Sequence, residues 1–207
     1  KLEIRKNKLF GIELQDYMFT IATTNMILRG DGKSNLENKD FLKENPAQLQ
    51  LKAFSVGMMN PPYSQGSKQN PELYEINFIN HLLMSMAEGA RVAVIVPQST
   101  FTGKTKEEQA LKAQILKKHT LEGVITLNKN TFYGVGTNPC IGIFTARVPH
   151  DKRKKAKFIN FEADGYIVSK HIGLIDSGSA NDKRQHLIDV WREKIEATTK
   201  FCVYTTV

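Results

Sequence analysis

With 207 residues, 41% of them apolar and 24% charged, the chain can bury one sizeable core and perhaps a small appendage, which excludes a disordered or fibrous protein. No apolar run reaches the length of a membrane span, and the charged N-terminus lacks the apolar core of a signal peptide. The two cysteines, Cys140 and Cys202, form neither a disulfide framework nor a metal-ligand spacing, so a reducing, cytoplasmic setting is expected, with no metal and no membrane. Lys and Arg outnumber acids by 29 to 21, giving a net charge of +8. That balance suits a polyanionic partner, although many basic proteins bind none.

Residues 8–14 read as a short strand with Glu13 near its end. A helical pattern follows over 15–29, with Met18, Ile21, Ala22, Asn25 and Leu28 along one face and Gly30 as its stop. An acid at a strand's carboxyl end, just before a helix, is where nucleotide-binding α/β folds hold a ribose by its hydroxyls. A glutamate there can equally be a solvated partner of the helix dipole. Residues 35–40 form another short segment ending in an acid, Asp40, followed by Phe41 and Leu42; an aspartate before a helix is also a common N-cap. Residues 43–50 read as a polar connection.

Residues 54–59, apolar or small, are expected to form a buried central strand, stopped at Asn60 by Pro61 and Pro62, which cannot donate to a ladder. A stiff turn at the end of a central strand would hold the Asn60 amide and the Pro61 carbonyl as two acceptors facing a site, with the flat ring of Tyr63 beside them. Two acceptors can hold both hydrogens of an exocyclic amine while a ring stacks on the base that carries it.

Beyond a Ser/Gln/Gly-rich loop, Leu73, Ile76, Ile79, Leu83 and Met86 fall at helical spacing, with Pro71 at the first helical position and Gly89 as the stop. Residues 91–96 read as a strand covered on both faces. Thr105 and Glu108 make a capping box for a helix running to about Lys118, and residues 121–127 give the next strand. The loop 128–139 contains Phe132, Gly134 and Gly136, but it leads into an apolar strand at Cys140 instead of opening a helix, so it is not a glycine-rich cofactor loop. Cys140 reads as a buried small residue. The basic run 152–157 is either a solvated turn or a phosphate contact. Residues 157–163 read as an edge strand, 164–181 as a Gly/Ser-rich loop, 182–197 as a helix and 201–207 as a β-type tail.

Asn60-Pro61-Pro62-Tyr63 resembles the catalytic motif of adenine-specific DNA methyltransferases that use S-adenosylmethionine. The similarity spans roughly residues 8–163 and is nearest to modification subunits of type I restriction-modification systems. Gly11-Ile12-Glu13, the stretch 25–30, the strand end at 94–97 and Gly136-Thr137-Asn138-Pro139-Cys140 match in the same order. The resemblance implies a catalytic set of Asn60, Pro61, Pro62 and Tyr63, a ribose ligand in Glu13, and adenine contacts from Asp40 and Phe41. It also implies a loop beside the target base, with Phe132 as either a second stacking face or a hydrophobic plug. Its partners would be double-stranded DNA and the specificity and restriction subunits of the same system.

The expected architecture is therefore a partial, Rossmann-like α/β fold: a mostly parallel sheet with helices on both faces and an antiparallel hairpin at its far edge. Residues 1–163 would form the partial catalytic domain and 164–207 a C-terminal extension. The family's glycine-rich loop should precede Glu13 by more residues than this chain offers. The chain is thus expected to be a fragment that binds the cofactor weakly and is inactive alone. Two other readings remain open: a non-catalytic remnant binding DNA or a specificity subunit, and a methyltransferase acting on RNA adenine or protein glutamine.

Overall fold

The computed structural model describes residues 8–30, 35–132, 134 and 136–207; residues 1–7 and 31–34, together with Tyr133 and Val135 of the glycine-containing loop, lie outside the described residues. The chain divides into two compact units, Lys1–Asn45 and Pro46–Val207.

In the first unit, strands β1 (Gly11–Glu13) and β2 (Leu36–Asn38) pair in parallel, with helix α1 (Asp16–Leu28) between them. This is the minimal β–α–β unit, whose crossover requires the helix. The expected single apolar face of α1 is not found. Tyr17, Met18, Phe19, Ile21, Met26, Ile27 and Leu28 distribute around the helix, and none of its residues is buried.

The second unit is built on a six-stranded sheet in the order β10-β7-β5-β6-β4-β3. Its strands are β3 (Val56–Met59), β4 (Arg91–Pro97), β5 (Thr120–Leu127), β6 (Pro139–Thr145), β7 (Lys155–Phe161) and β10 (Cys202–Thr206). The α/β, Rossmann-like expectation holds, but the sheet is mixed. Only β3–β4 and β5–β7 are parallel, while β4–β6, β5–β6 and β7–β10 are antiparallel. The antiparallel hairpin β5–β6 is interior, because β6 inserts between β4 and β5. The segment expected as an edge strand, β7, is covered by the C-terminal tail β10. The edge is instead β3, expected at the centre. Gly57 is buried, but Val56 and Met58 on the opposite face are 67% and 82% exposed. No strand among the described residues joins β1 to β3, so the strands ending before Glu13 and Asn60 belong to separate sheets.

One face of this sheet carries Val92, Val94 and Val96 of β4 and Phe144 of β6, packed beneath α3 (Glu75–Ser85) through Ile79 and Leu83, all nearly inaccessible. Ile76, Ile79 and Leu83 fall on one side of α3 as the spacing requires. Pro71 opens a separate 3₁₀ turn (Pro71–Leu73) and not the helix itself. Helix α5 (Lys106–Lys118) begins with the expected capping box, Thr105 and Glu108 each bonding the other's backbone N–H. The opposite face, over β5 and β7, is covered by α6 (Ala180–Trp191). There Val190, Leu187 and Trp191 meet Ile125, Ile159 and Cys202.

Three local readings are corrected. Residues 43–50 contain a short helix, α2 (Pro46–Gln50), one turn too brief to show a period. A further short helix, α4 (Ser99–Thr102), follows β4. The supposed loop 164–181 contains the hairpin β8 (Tyr166–Ser169) and β9 (Gly173–Asp176), bounded by Gly165 and Gly173 at φ of 90° and 88°. Those glycines supply backbone conformations that other residues adopt at a cost.

Candidate functional site

β3 ends at Met59, opposite Val94 of β4, and the chain leaves the sheet through Asn60, Pro61 and Pro62. Pro61 is buried and Asn60 exposed. Neither the Asn60 side chain nor the Pro61 carbonyl is hydrogen-bonded to another described residue. The two acceptors singled out from the sequence are therefore both available at one turn. Tyr63 is half-buried, and its hydroxyl donates to the Ile95 carbonyl of β4 at 3.2 Å. Burial, with smaller contributions from Cys140 and Glu75, pushes its phenol up to about 12. A phenol held protonated in this way cannot act as a base near neutral pH; it anchors the ring. Ser64 then turns the chain at φ 57°, and its N–H donates to Glu75 Oε1 at 2.8 Å, tying the turn to the first residue of α3.

The β5–β6 loop reaches this turn. The Phe132 and Tyr63 rings meet edge to face, with centroids 5.9 Å apart and planes at 69°. The structure thus brings together the two aromatic residues predicted to flank a base. The near limb of the loop is held by Asn128, whose Oδ1 accepts from the Asn130 N–H at 2.9 Å and whose backbone carbonyl accepts from the Thr131 hydroxyl at 2.6 Å. Asn128 Nδ2 also donates to Asp164 Oδ1 at 3.0 Å, fastening the loop to the chain beyond β7. The far limb is fixed by Gln98 N–H donating to the Asn138 carbonyl at 2.9 Å. Sequence reasoning missed Asn128 and Asp164. A turn-forming Asn after a strand was visible, but nothing local marked its partner 36 residues on. Cys140, just past the loop, is buried, and its thiol is pushed up to about 12, an unreactive residue as expected.

The candidate cofactor residues lie in the first unit. Glu13 and Asn38 are register partners, and the Lys39 N–H donates to the Glu13 carbonyl at 3.1 Å, so Glu13 and Asp40 mark the carboxyl ends of two adjacent parallel strands. Glu13 Oε1 accepts the Gln15 N–H at 2.8 Å, the helix-terminus role that any acid can play there. Asp40 Oδ1 accepts the Leu42 N–H at 3.1 Å and so caps the turn containing Phe41, while its Oδ2 lies 3.4 Å from Lys43 Nζ. Each carboxylate has one oxygen taken by the backbone and retains acceptor capacity on the other. Among the described residues no three His, Cys, Asp or Glu side chains gather as a metal site, and no helix is long and apolar enough to cross a membrane.

Comparison with known proteins defines the class first. The methyltransferase subunit of a type I restriction-modification system from Streptococcus thermophilus matches 95% of this chain and 44% of its own, with a TM-score of 0.76 at 20% identity. A Listeria monocytogenes protein described as a class I S-adenosylmethionine-dependent methyltransferase matches 87% of this chain and 54% of its own, with a TM-score of 0.61 at 18% identity. The fold is that of the Rossmann-like methyltransferases. The sequence profile of the N-6 DNA methylase family matches residues 1–207, and the chain belongs to that family. The type II restriction enzyme and methyltransferase RM.BcgI of Heyndrickxia coagulans is 48% identical over 206 residues. That alignment covers 99% of this chain and 32% of the relative, so the chain spans about a third of its length.

Proposed function

We propose that this chain carries the base-holding and methyl-transfer residues of a DNA adenine methyltransferase, acting within a restriction-modification system on the exocyclic amine of an adenine flipped out of duplex DNA. The observation that carries the reading is the turn itself: two unbonded acceptors, Asn60 and the Pro61 carbonyl, beside a ring anchored by its own hydroxyl. An amine inside a duplex is out of reach, so the base must leave the stack at a cost of about a few kcal/mol. Tyr63, with Phe132 as the second face, offsets that cost by stacking.

Asn60 Oδ1 and the Pro61 carbonyl then accept the two amine hydrogens and turn the nitrogen lone pair out of conjugation with the ring. S-adenosylmethionine, when bound, supplies the electrophilic methyl group. The proton displaced from the amine leaves past Asn60 to water, and no carboxylate base is needed. Glu13 and Asp40 fit this cofactor chemically, as acceptors for a ribose diol and an adenine amine at the carboxyl ends of parallel strands. Among the described residues no glycine-rich loop joins a strand to a helix to cradle the methionine end.

The family's DNA specificity favours DNA over RNA adenine or protein glutamine. As to the system, the 48% identity to RM.BcgI favours a protein that combines restriction with methylation over the stand-alone type I subunit, for which the support is the shared fold. Duplex DNA and a sequence-reading specificity component are the partners this reading requires, in the cytoplasm.

The test is single-turnover methylation by the intact protein. Asn60→Ala should lose most of the rate while cofactor binding is largely kept. Near-normal rates from Asn60→Ala would remove the proposal.

A further inference from the structure

The basic run flagged in the sequence sits at the end of the sheet opposite the Asn60–Tyr63 turn. Arg91, at the start of β4, is the register partner of Thr145, which also pairs with Thr120 at the start of β5. At the other end Pro97 pairs with Pro139, and Met59 leads into Asn60 beside Val94. The β6–β7 connection turns back at the first of these ends and is fastened to the last turn of α5. The Arg147 N–H donates to His119 Nδ1 at 2.9 Å, the His150 N–H to the Leu116 carbonyl at 2.9 Å, and the Thr120 hydroxyl to the Val148 carbonyl at 2.9 Å.

These bonds gather Lys117 and Lys118 of α5 with Arg147, Lys152, Arg153 and Lys155, all exposed except the half-buried Arg147. Two of the neighbouring acids, Glu122 and Asp151, are already engaged. Glu122 lies between Lys154 Nζ at 2.7 Å and the Thr145 hydroxyl at 2.6 Å, and Asp151 lies 3.7 Å from Arg153. Lys117, Lys118, Arg147, Lys152 and Lys155 form no ion pair among the described residues.

Two lysines in the last turn of a helix are an ordinary complement to its dipole. Six cations drawn from a helix, a connection and a strand exceed that need. Among the described residues the segments that carry the six cations expose no large apolar side chain, whereas the neighbouring C-terminal tail, whose β10 pairs with β7, exposes Val203, Tyr204 and Val207. What favours a polyanion is the cluster of unpaired cations, since lysine is a type depleted from the cores of protein interfaces.

We infer that this basic end is a second DNA-contacting surface, holding backbone phosphates on the flank of the duplex whose target base is at the Asn60–Tyr63 turn. The inference rests on the DNA reading above. The seven residues of β4 separate the two ends by about 20 Å at roughly 3.3 Å per residue. At about 3.4 Å per base pair, the flank must extend roughly six base pairs or more from the target base to reach it. Such contacts set position and affinity and carry no sequence information.

The experiment compares the intact protein with its Lys117→Gln/Lys118→Gln/Lys152→Gln/Lys155→Gln variant on two duplexes, one reaching about 4 and one about 20 base pairs beyond the target adenine. The wild type should bind the long duplex more tightly, and the variant should lose that gain. Its log–log salt slope on the long duplex should flatten by about 3 to 4, because each phosphate contact contributes about 0.9. Between 50 and 200 mM salt that is roughly a hundredfold smaller loss of affinity. Saturated methylation of the short duplex should be unchanged. An unaltered slope and length gain would overturn the inference, including the case where the variant fails instead to assemble with a protein partner. Asn60→Ala, measured alongside, should keep the wild-type slope and length gain while losing methylation. An active Asn60→Ala enzyme would sink the catalytic reading without touching the salt result.

Discussion

Truncating Phe132 to alanine should weaken capture of the target base, but by less than a stacking ring is ordinarily worth. A base sandwiched between Tyr63 and Phe132 needs the rings nearly parallel and about 7 Å apart, two contact distances of roughly 3.5 Å. They stand at 69° with centroids 5.9 Å apart, so in this conformation each ring occupies the other. Capture must break an edge-to-face contact worth about 0.5–1.5 kcal/mol before it gains about 1–3 kcal/mol of stacking per ring. Phe132→Ala forfeits one ring's stacking and also removes the contact that opposed entry. The net loss is then about 1 kcal/mol, roughly fivefold in affinity. Tyr63→Phe keeps the ring and gives up only the bond to Ile95, a comparable loss of about 0.5–1.5 kcal/mol. The assay is a titration of the intact protein with duplex carrying 2-aminopurine at the target position, whose fluorescence rises as the base leaves the stack. Phe132→Leu, which keeps an apolar plug without a ring face, serves as the comparison. If Phe132→Ala captures the base more tightly than wild type, Phe132 is only a plug and the stacking argument is wrong.

Two further outcomes concern the scaffold. His119 is inaccessible, and burial, followed by the charges of Lys118 and Arg147, lowers its pKa from 6.5 to about 4. The unfolded chain takes up this proton near pH 6.5 and the folded one only near 4. Stability fully present above about pH 6.5 should thus fall through that window, by about 3 kcal/mol at most. Urea unfolding at pH 7 and pH 5 should show the loss, and His119→Gln should flatten it; equal wild-type stability at the two pH values would refute the assignment. Gly123→Ala should cost about 1–3 kcal/mol, because a Cβ there collides with the Lys157 carbonyl oxygen and comes within 3.1 Å of the Trp191 ring. An unfolding midpoint within error of wild type would show that β5 and β7 can separate freely.

The parts of this molecule legible in the sequence were those whose cause is local. Pro61 and Pro62 end β3 wherever it lies in the sheet, and Thr105 and Glu108 cap α5 whatever it packs on. The strand after Asn138-Pro139 disqualifies the loop as a glycine-rich cofactor loop, since no helix follows it. The hairpin β8–β9 was hidden because its glycines and serines outweighed two four-residue strands, each too short to show alternation. The Asn128–Asp164 bond and the placement of β7 between β5 and β10 depend on partners far along the chain, and no local pattern encodes them.

An apolar side chain records that something favours covering it, not what does so or from which side. The run over residues 54–59 reads as a buried central strand. Gly57 meets that reading, since an added Cβ would lie 3.1 Å from Met86 and 3.3 Å from Val92, whereas Val56 and Met58 do not. α1 makes the same point more strongly, with apolar residues all round and none buried. The Asn60–Tyr63 turn is indifferent to this error. Tyr63 is tied to Ile95 of β4, Ser64 to Glu75 of α3, and Phe132 arrives on the loop between β5 and β6. None of these supports passes through Val56 or Met58. That is why the geometry at Asn60 could be anticipated from four residues while the strand that delivers it was placed wrongly.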